Sequence, residues 1–205
     1  MTEGFNEANE QAPIINIVGE RVALGPVRRD LIPLYQKWRN DFFVQRTFGD
    51  LPGPVTFERR EKWFEDIAAS TDDHWFTIYA HDGEDLEPIG ITDLFNIDYR
   101  WRVGQFGMAI GEASGRGRGI GTEVVQLMLD FAFTALGLNN VMLTVTEYNL
   151  AGRRAYEKAG FKEFGHRRQA DILNGVAYDE IYMDCIASEF VSPVLAKVFV
   201  PDVER

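Results

Sequence analysis

The sequence predicts one α/β domain, built on a mixed, mostly antiparallel sheet flanked by helices. Three observations carry that reading. The β-rich runs at 75–81 and 87–97 join through Asp82-Gly83, and the last two, at 161–168 and 178–186, join through Asn174-Gly175; both are tight hairpin signals that make antiparallel neighbours. Near the middle of the chain a strand, a glycine-rich turn and an amphipathic helix follow one another without a break. Finally, 205 residues suffice for one well-buried core, and the hydrophobic and charged fractions are those of an ordinary globular protein. A run of antiparallel strands excludes a simple doubly wound sheet.

The elements follow in order. Residues 1–15, rich in Asn, Gln and Glu, predict a disordered tail. A first strand is expected at 21–27. Helices are expected at 31–40 and 57–69, parted by a loop rich in Gly and Pro at 49–55. The strands at 75–81, 87–97 and 105–110 come next. Apolar residues at Ile120, Val124, Leu127, Met128, Phe131, Ala132 and Ala135 then mark one buried face of a helix. After a strand at 141–146, Asn149 as N-cap and Gly160 as C-terminal stop frame a short helix, and the final hairpin closes the domain. The domain is expected to span 16–187. An extension at 188–205 carries Val194, Leu195, Val198 and Phe199, which suit packing on the domain or the seam of a homodimer.

The turn before the long helix reads Arg116-Gly117-Arg118-Gly119-Ile120-Gly121-Thr122. Unpaired N–H groups of a first helical turn point at a ligand, and the helix dipole adds partial positive charge. Glycines let the backbone come close to a phosphate, and Arg116 and Arg118 supply charge-assisted donors. The loop is therefore expected to cradle a pyrophosphate. Thr122-Glu123 stands where a nucleotide P-loop needs Lys-Ser/Thr, and the glycine spacing is not that of a dinucleotide fingerprint.

The spacing Arg116-x-x-Gly119-x-Gly121 resembles the coenzyme A loop of the GNAT superfamily of N-acyltransferases. About thirty residues on, Asn149, Ala151, Tyr156 and Lys158-Ala-Gly160-Phe161 resemble the superfamily's last coenzyme-binding helix. The likeness covers about residues 20–187. It implies a sheet split between the strand before the cradle and the one after its helix, with the pantetheine arm in the opened edge. It implies acetyl-coenzyme A, or another acyl-coenzyme A, as co-substrate and no metal. A backbone N–H of Met108, beside Ala109 and Ile110, would polarise the thioester carbonyl, and Asn149 would bond the pantetheine arm. Tyr156, two turns beyond Asn149 on the same side of the helix, would give its proton to the departing thiolate. Asp93, on the strand expected to border the acceptor, is the candidate base or amine anchor, ahead of Asp98 and Glu147. Trp38-Arg39-Asn40-Asp41 resembles a segment lining the acceptor cleft in a branch that holds ribosomal-protein, polyamine and amino-sugar acetyltransferases, so Trp38 is a candidate substrate contact.

The function expected is transfer of an acetyl or larger acyl group to a primary amine of a small molecule or of a protein N-terminus. The competing reading is a non-catalytic acyl-coenzyme A sensor or partner-binding module on the same fold. A net charge of −11 argues against nucleic acid. With both ends set aside the body keeps about −7, which favours cationic acceptors by steering. No apolar run reaches the ~18 residues of a membrane span and no signal peptide is visible. Cys185, the single cysteine, lies in an apolar run and reads as a core thiol, pointing to a reducing, cytoplasmic location. His74, His81 and His166 share no metal spacing.

Overall fold

The structure, a computed structural model, describes residues 12–48, 52–82 and 85–203. The predicted tail therefore lies outside the described residues up to position 11. So do residues 49–51 of the Gly/Pro loop and Gly83 of the first hairpin turn.

Among the described residues eight strands form one sheet: β1 (Ile17–Val18), β2 (Val22–Pro26), β3 (His74–Asp82), β4 (Asp85–Asp98), β5 (Val103–Ile110), β6 (Asn140–Thr146), β7 (Lys162–Leu173) and β8 (Val176–Ile186), in the spatial order β1-β2-β3-β4-β5-β6-β8-β7. All neighbours are antiparallel except β5 and β6. Among the described residues five α-helices accompany the sheet: α1 (Ile32–Asn40), α2 (Phe42–Gln45), α3 (Phe57–Ala69), α4 (Ile120–Asp130) and α5 (Leu150–Ala159).

Side chains alternate across β3 and so distribute the core over two faces. Phe76 and Ile78 join the larger core, into which α4 sends Ile120, Val124, Leu127 and Met128. On the other face Trp75 packs with Tyr35, Trp38 and Phe64 of α1 and α3, and Thr77 holds the Tyr35 hydroxyl at 2.6 Å. Helices thus cover both faces. The α4 stripe ends in a π-helical turn at Phe131–Ala135.

Two elements were not anticipated. Strand β1 has only two residues, and the turn after it is held by the Glu123 carboxylate, which accepts from the N–H of Glu20 and of Arg21. A pair that short leaves no periodicity to read. Helix α2 is capped by Asp41, whose side chain accepts from Phe43 N, so its signal was present beside the predicted end of α1. The final hairpin runs longer than expected, but it turns at Asn174 and Gly175, both at positive φ.

The C-terminal segment packs on the domain. Leu195 is buried in the larger core, and the Asp130 carboxylate accepts from the N–H of Val194 and of Leu195. Cys185 is buried, and burial, with Glu189 and Asp184 nearby, pushes its thiol up to about 11. Among the described residues no helix is long and apolar enough to cross a membrane.

Candidate active site

Strands β5 and β6 pair only through Val103↔Asn140, Gly104↔Val141 and Gln105↔Met142, and then diverge. Each is kept by its other neighbour, β5 by β4 up to Ile110 and β6 by β8 up to Thr146. The rings of Phe106, Tyr156 and Phe161 stand in the opening as a triangle, with centroids 6.1 to 6.2 Å apart. The split therefore leaves one edge of Phe106–Ile110 without a strand partner, and a backbone without a partner needs a ligand or water.

A cleft of about 560 Å³ lies along that edge. Its walls are Met108, Ala109 and Ile110 of β5, the loop glycines Gly117, Gly119 and Gly121, Thr122 of α4, and Asn149 with the outer face of α5. Gly117 and Gly119 sit at φ +75 and +79, a conformation that needs glycine. Gly121 does not, and a Cβ there would meet only Met108 and Ala155 at ordinary contact distance. Arg116 is fixed from behind, since its Nη2 donates to the carbonyls of Ile110 and Gly111. Asn149 caps α5 by accepting from Gly152 N and also lines the cleft. Arg46, Arg154 and Lys158 line it too; Lys158 belongs to the motif of the last helix, whereas Arg46 and Arg154 were unforeseen from the sequence. Arg154 and Lys158 stand four apart on one face of a helix the sequence had already framed, so their spacing was readable.

Two residues expected at the cradle are placed differently. Ile120 points into the core, and Arg118 is exposed and offers its carbonyl to Arg21 Nη1 at 2.7 Å. Neither side chain lines the cleft.

A second cleft, of about 240 Å³, opens on the α1 and α3 face. Its floor follows the strand register: Trp75 pairs with Asp93, and Asp93 with Gly107. Gly107 leaves the space above it to the Asp93 carboxylate, which a Cβ there would strike. Asp93 is 8% exposed. Burial, helped by Asp73, pushes it up to about 7. Tyr156 is also 8% exposed, and burial pushes its phenol up to about 12, so it stays protonated at neutral pH.

Thr47, Phe48, Met108, Ala109 and Tyr156 line both clefts. The α1 segment expected to border an acceptor does not line the second cleft, and neither does α3, because their inward side chains pack in the second core. Trp38 is 4% exposed and donates Nε1 to Glu112 Oε1 at 2.8 Å. It reaches neither cleft. Asp98 accepts from two N–H groups of its own turn and Glu147 from Asp179 N, and neither lines a cleft. His166 lies between Glu163 and Asp179 on the final hairpin, and His74 meets the Tyr99 hydroxyl. Among the described residues no group of His, Cys, Asp or Glu has the geometry to hold a metal.

Comparison with known proteins matches residues 21–162 to the family described as Acetyltransferase (GNAT) domain. An N-acetyltransferase 9-like protein of Caenorhabditis briggsae is 30% identical over 161 residues, spanning 74% of this chain and 80% of the relative. The spermidine N(1)-acetyltransferase of Escherichia coli K12 is 26% identical, over 80% of this chain and 85% of its own. Among solved structures, spermidine N-acetyltransferase from Vibrio cholerae in complex with CoA and spermine superposes with a TM-score of 0.74 at 23% identity. It covers 82% of this chain and 97% of its own, and at that identity the likeness speaks for the fold.

Proposed function

The chain belongs to the GNAT acetyltransferase family, and from that premise we propose how its two clefts divide the transfer of an acetyl group from acetyl-coenzyme A to a primary amine. The larger cleft takes the coenzyme, with pyrophosphate at the cradle and the pantetheine arm along the unpaired edge of β5. The smaller takes the amine, borne by a small molecule or a protein N-terminus. The observation that carries this division is Tyr156, which walls both clefts at their junction.

The chemistry follows from the groups at that junction. The amine must be neutral to attack, and Asp93, whose carboxyl titrates near about 7, accepts its proton. The nitrogen bonds to the thioester carbon while N–H groups of the β5 edge take the charge on the carbonyl oxygen. The C–S bond then breaks and the sulfur takes the proton of the Tyr156 hydroxyl. The nitrogen gives up its second proton as the amide forms, and the Tyr156 phenolate takes it back, so the only proton left over is the one on Asp93, which passes to solvent. The residues common to both clefts carry no charge, which suits an acetyl group better than a succinyl carboxylate.

Asp93 is the single charged residue lining the acceptor cleft among the described residues. Relatives carry names for spermidine and for protein acceptors. A lone carboxylate suits an acceptor with one ammonium at its reacting end. The test is thiol release from acetyl- and succinyl-coenzyme A against monoamines, spermidine and short peptides with free N-termini. Release with acetyl-coenzyme A and single amines is expected. Tight coenzyme binding with no release for any amine would restore the non-catalytic reading.

A further inference from the structure

Helix α2 brings the side of the molecule that borders the acceptor cleft to the mouth of the coenzyme cleft. The Phe43 ring there carries two guanidinium groups, Arg46 at 3.9 Å and Arg116 at 4.6 Å from its centroid. All three residues line the coenzyme cleft. Arg116 belongs to the cradle loop, whereas Arg46 is some seventy positions earlier. Among the described residues neither guanidinium forms an ion pair, and the only hydrogen bonds of either go from Arg116 to two backbone carbonyls. The one carboxylate that acts on Arg116, Glu112, is already taken up by Lys37 and the Trp38 indole, so two like charges share one ring inside the cleft with no ion pair to either, and an anion between them would complete the arrangement.

We propose that Arg46 and Phe43 form a phosphate clasp: a phosphate of the coenzyme bridges Arg116 and Arg46 across the Phe43 ring and draws α2 onto the coenzyme. This rests on the coenzyme reading of the larger cleft. The consequence reaches the acceptor, because Thr47 and Phe48 follow Arg46 directly and line both clefts. Tyr148 steadies the same point, donating its hydroxyl to the Arg46 carbonyl at 2.7 Å. Coenzyme phosphate therefore sets the wall against which the amine is placed, although no phosphate lies near the reacting atoms.

Amide hydrogen exchange of the whole chain tests this, with acetyl-coenzyme A and with S-acetylpantetheine, which lacks the phosphates. Acetyl-coenzyme A should slow exchange at the α4 start (119–123) and at 43–48; S-acetylpantetheine should not protect 43–48. In Arg46→Gln and in Phe43→Leu the protection at 43–48 should vanish while that at 119–123 persists. The dissociation constant of coenzyme A, measured by calorimetry, should rise about tenfold in Arg46→Gln. Undiminished protection at 43–48 in Arg46→Gln, or equal protection by S-acetylpantetheine, overturns the clasp and leaves the coenzyme site standing. Absence of protection at 119–123 in the native chain would overturn the coenzyme site itself, and the clasp with it.

Discussion

The two clefts differ in what they are made of. The proposed coenzyme cleft is organised around backbone, namely a strand edge released by the β5–β6 split, glycines at positive φ and the first N–H groups of α4, with basic side chains set about it. The proposed acceptor cleft is side chain, gathered from the turn after α2, from β3, β4, β5 and β6, and from α5. A backbone site needs a short contiguous stretch of a particular conformation, so substitutions act there through strain and blocked approach. A side-chain site depends on register, and substitutions act one function at a time.

The sharpest contrast is expected at Gly119. Its φ of +79 excludes a branched side chain, and a Cβ would also meet the Arg21 guanidinium at 3.3 Å. Gly119→Val should weaken coenzyme binding by about a hundredfold or more, at a cost of roughly 1–3 kcal/mol for the strained residue beyond the lost approach. Gly121→Ala has no such strain and should bind within about tenfold of the native chain. Calorimetry with acetyl-coenzyme A decides, and equal behaviour of the two variants would break the claim that the cradle is a backbone site.

Tyr156 sits where the clefts meet and should separate binding from turnover. Tyr156→Phe keeps the ring triangle with Phe106 and Phe161 and removes only the hydroxyl. Turnover should fall by about 10²-fold, the lower range for a general acid, with coenzyme affinity within a few-fold. An unchanged kcat would leave Tyr156 as a packing residue.

The same contrast explains what the sequence made legible. The cradle and the α5 helix are contiguous stretches with caps and turns of their own, and they fell within one or two residues of their predicted places. Asp93 was readable because it sits on a strand that the Asp82-Gly83 hairpin signal had placed. Its neighbours Trp75, Phe95, Gln105 and Thr144 were not, since only the pairing of four strands brings them to one floor. Trp38 shows the converse: a motif position suggested contact with substrate, but its indole fills the space that Gly111 leaves open and bonds Glu112. Sequence spacing reports which residues are near one another along a helix, not which side of a packed layer they finish on.

Asp93→Asn should trade activity for stability. In the native chain kcat/KM should rise with pH through about 7 as the carboxyl ionises, and the variant should lose that limb with a fall of about 10-fold or more at pH 7.5. Stability moves the other way. The folded chain holds the Asp93 proton up to about 7 whereas an unfolded aspartate releases it near 3.8, so native stability declines as pH rises between those values. At about 1.36 kcal/mol per pKa unit the loss is on the order of a few kcal/mol. Asn does not ionise, so the variant should melt higher than the native chain at pH 8 and converge with it near pH 4. Parallel melting curves at both pH values would mean that Asp93 is not held as a buried acid.

The smallest effect concerns charge at a distance. The chain carries −11 overall, and the acceptor cleft has a single buried carboxylate at its floor. Attraction of a cationic amine from solution must then come mostly from exposed acids around the mouth, and such attraction is screened beyond a Debye length of about 8 Å at physiological salt. The KM of a cationic amine should rise about two- to threefold between low and moderately high ionic strength, with kcat unchanged. Asp93→Asn should show the same dependence on salt, displaced to a higher KM, because a buried group is screened little. A salt dependence that disappears in Asp93→Asn would assign the attraction to that one carboxylate. A flat response in the native chain would confine the acidic surface to solubility and leave acceptor choice to the shape of the cleft.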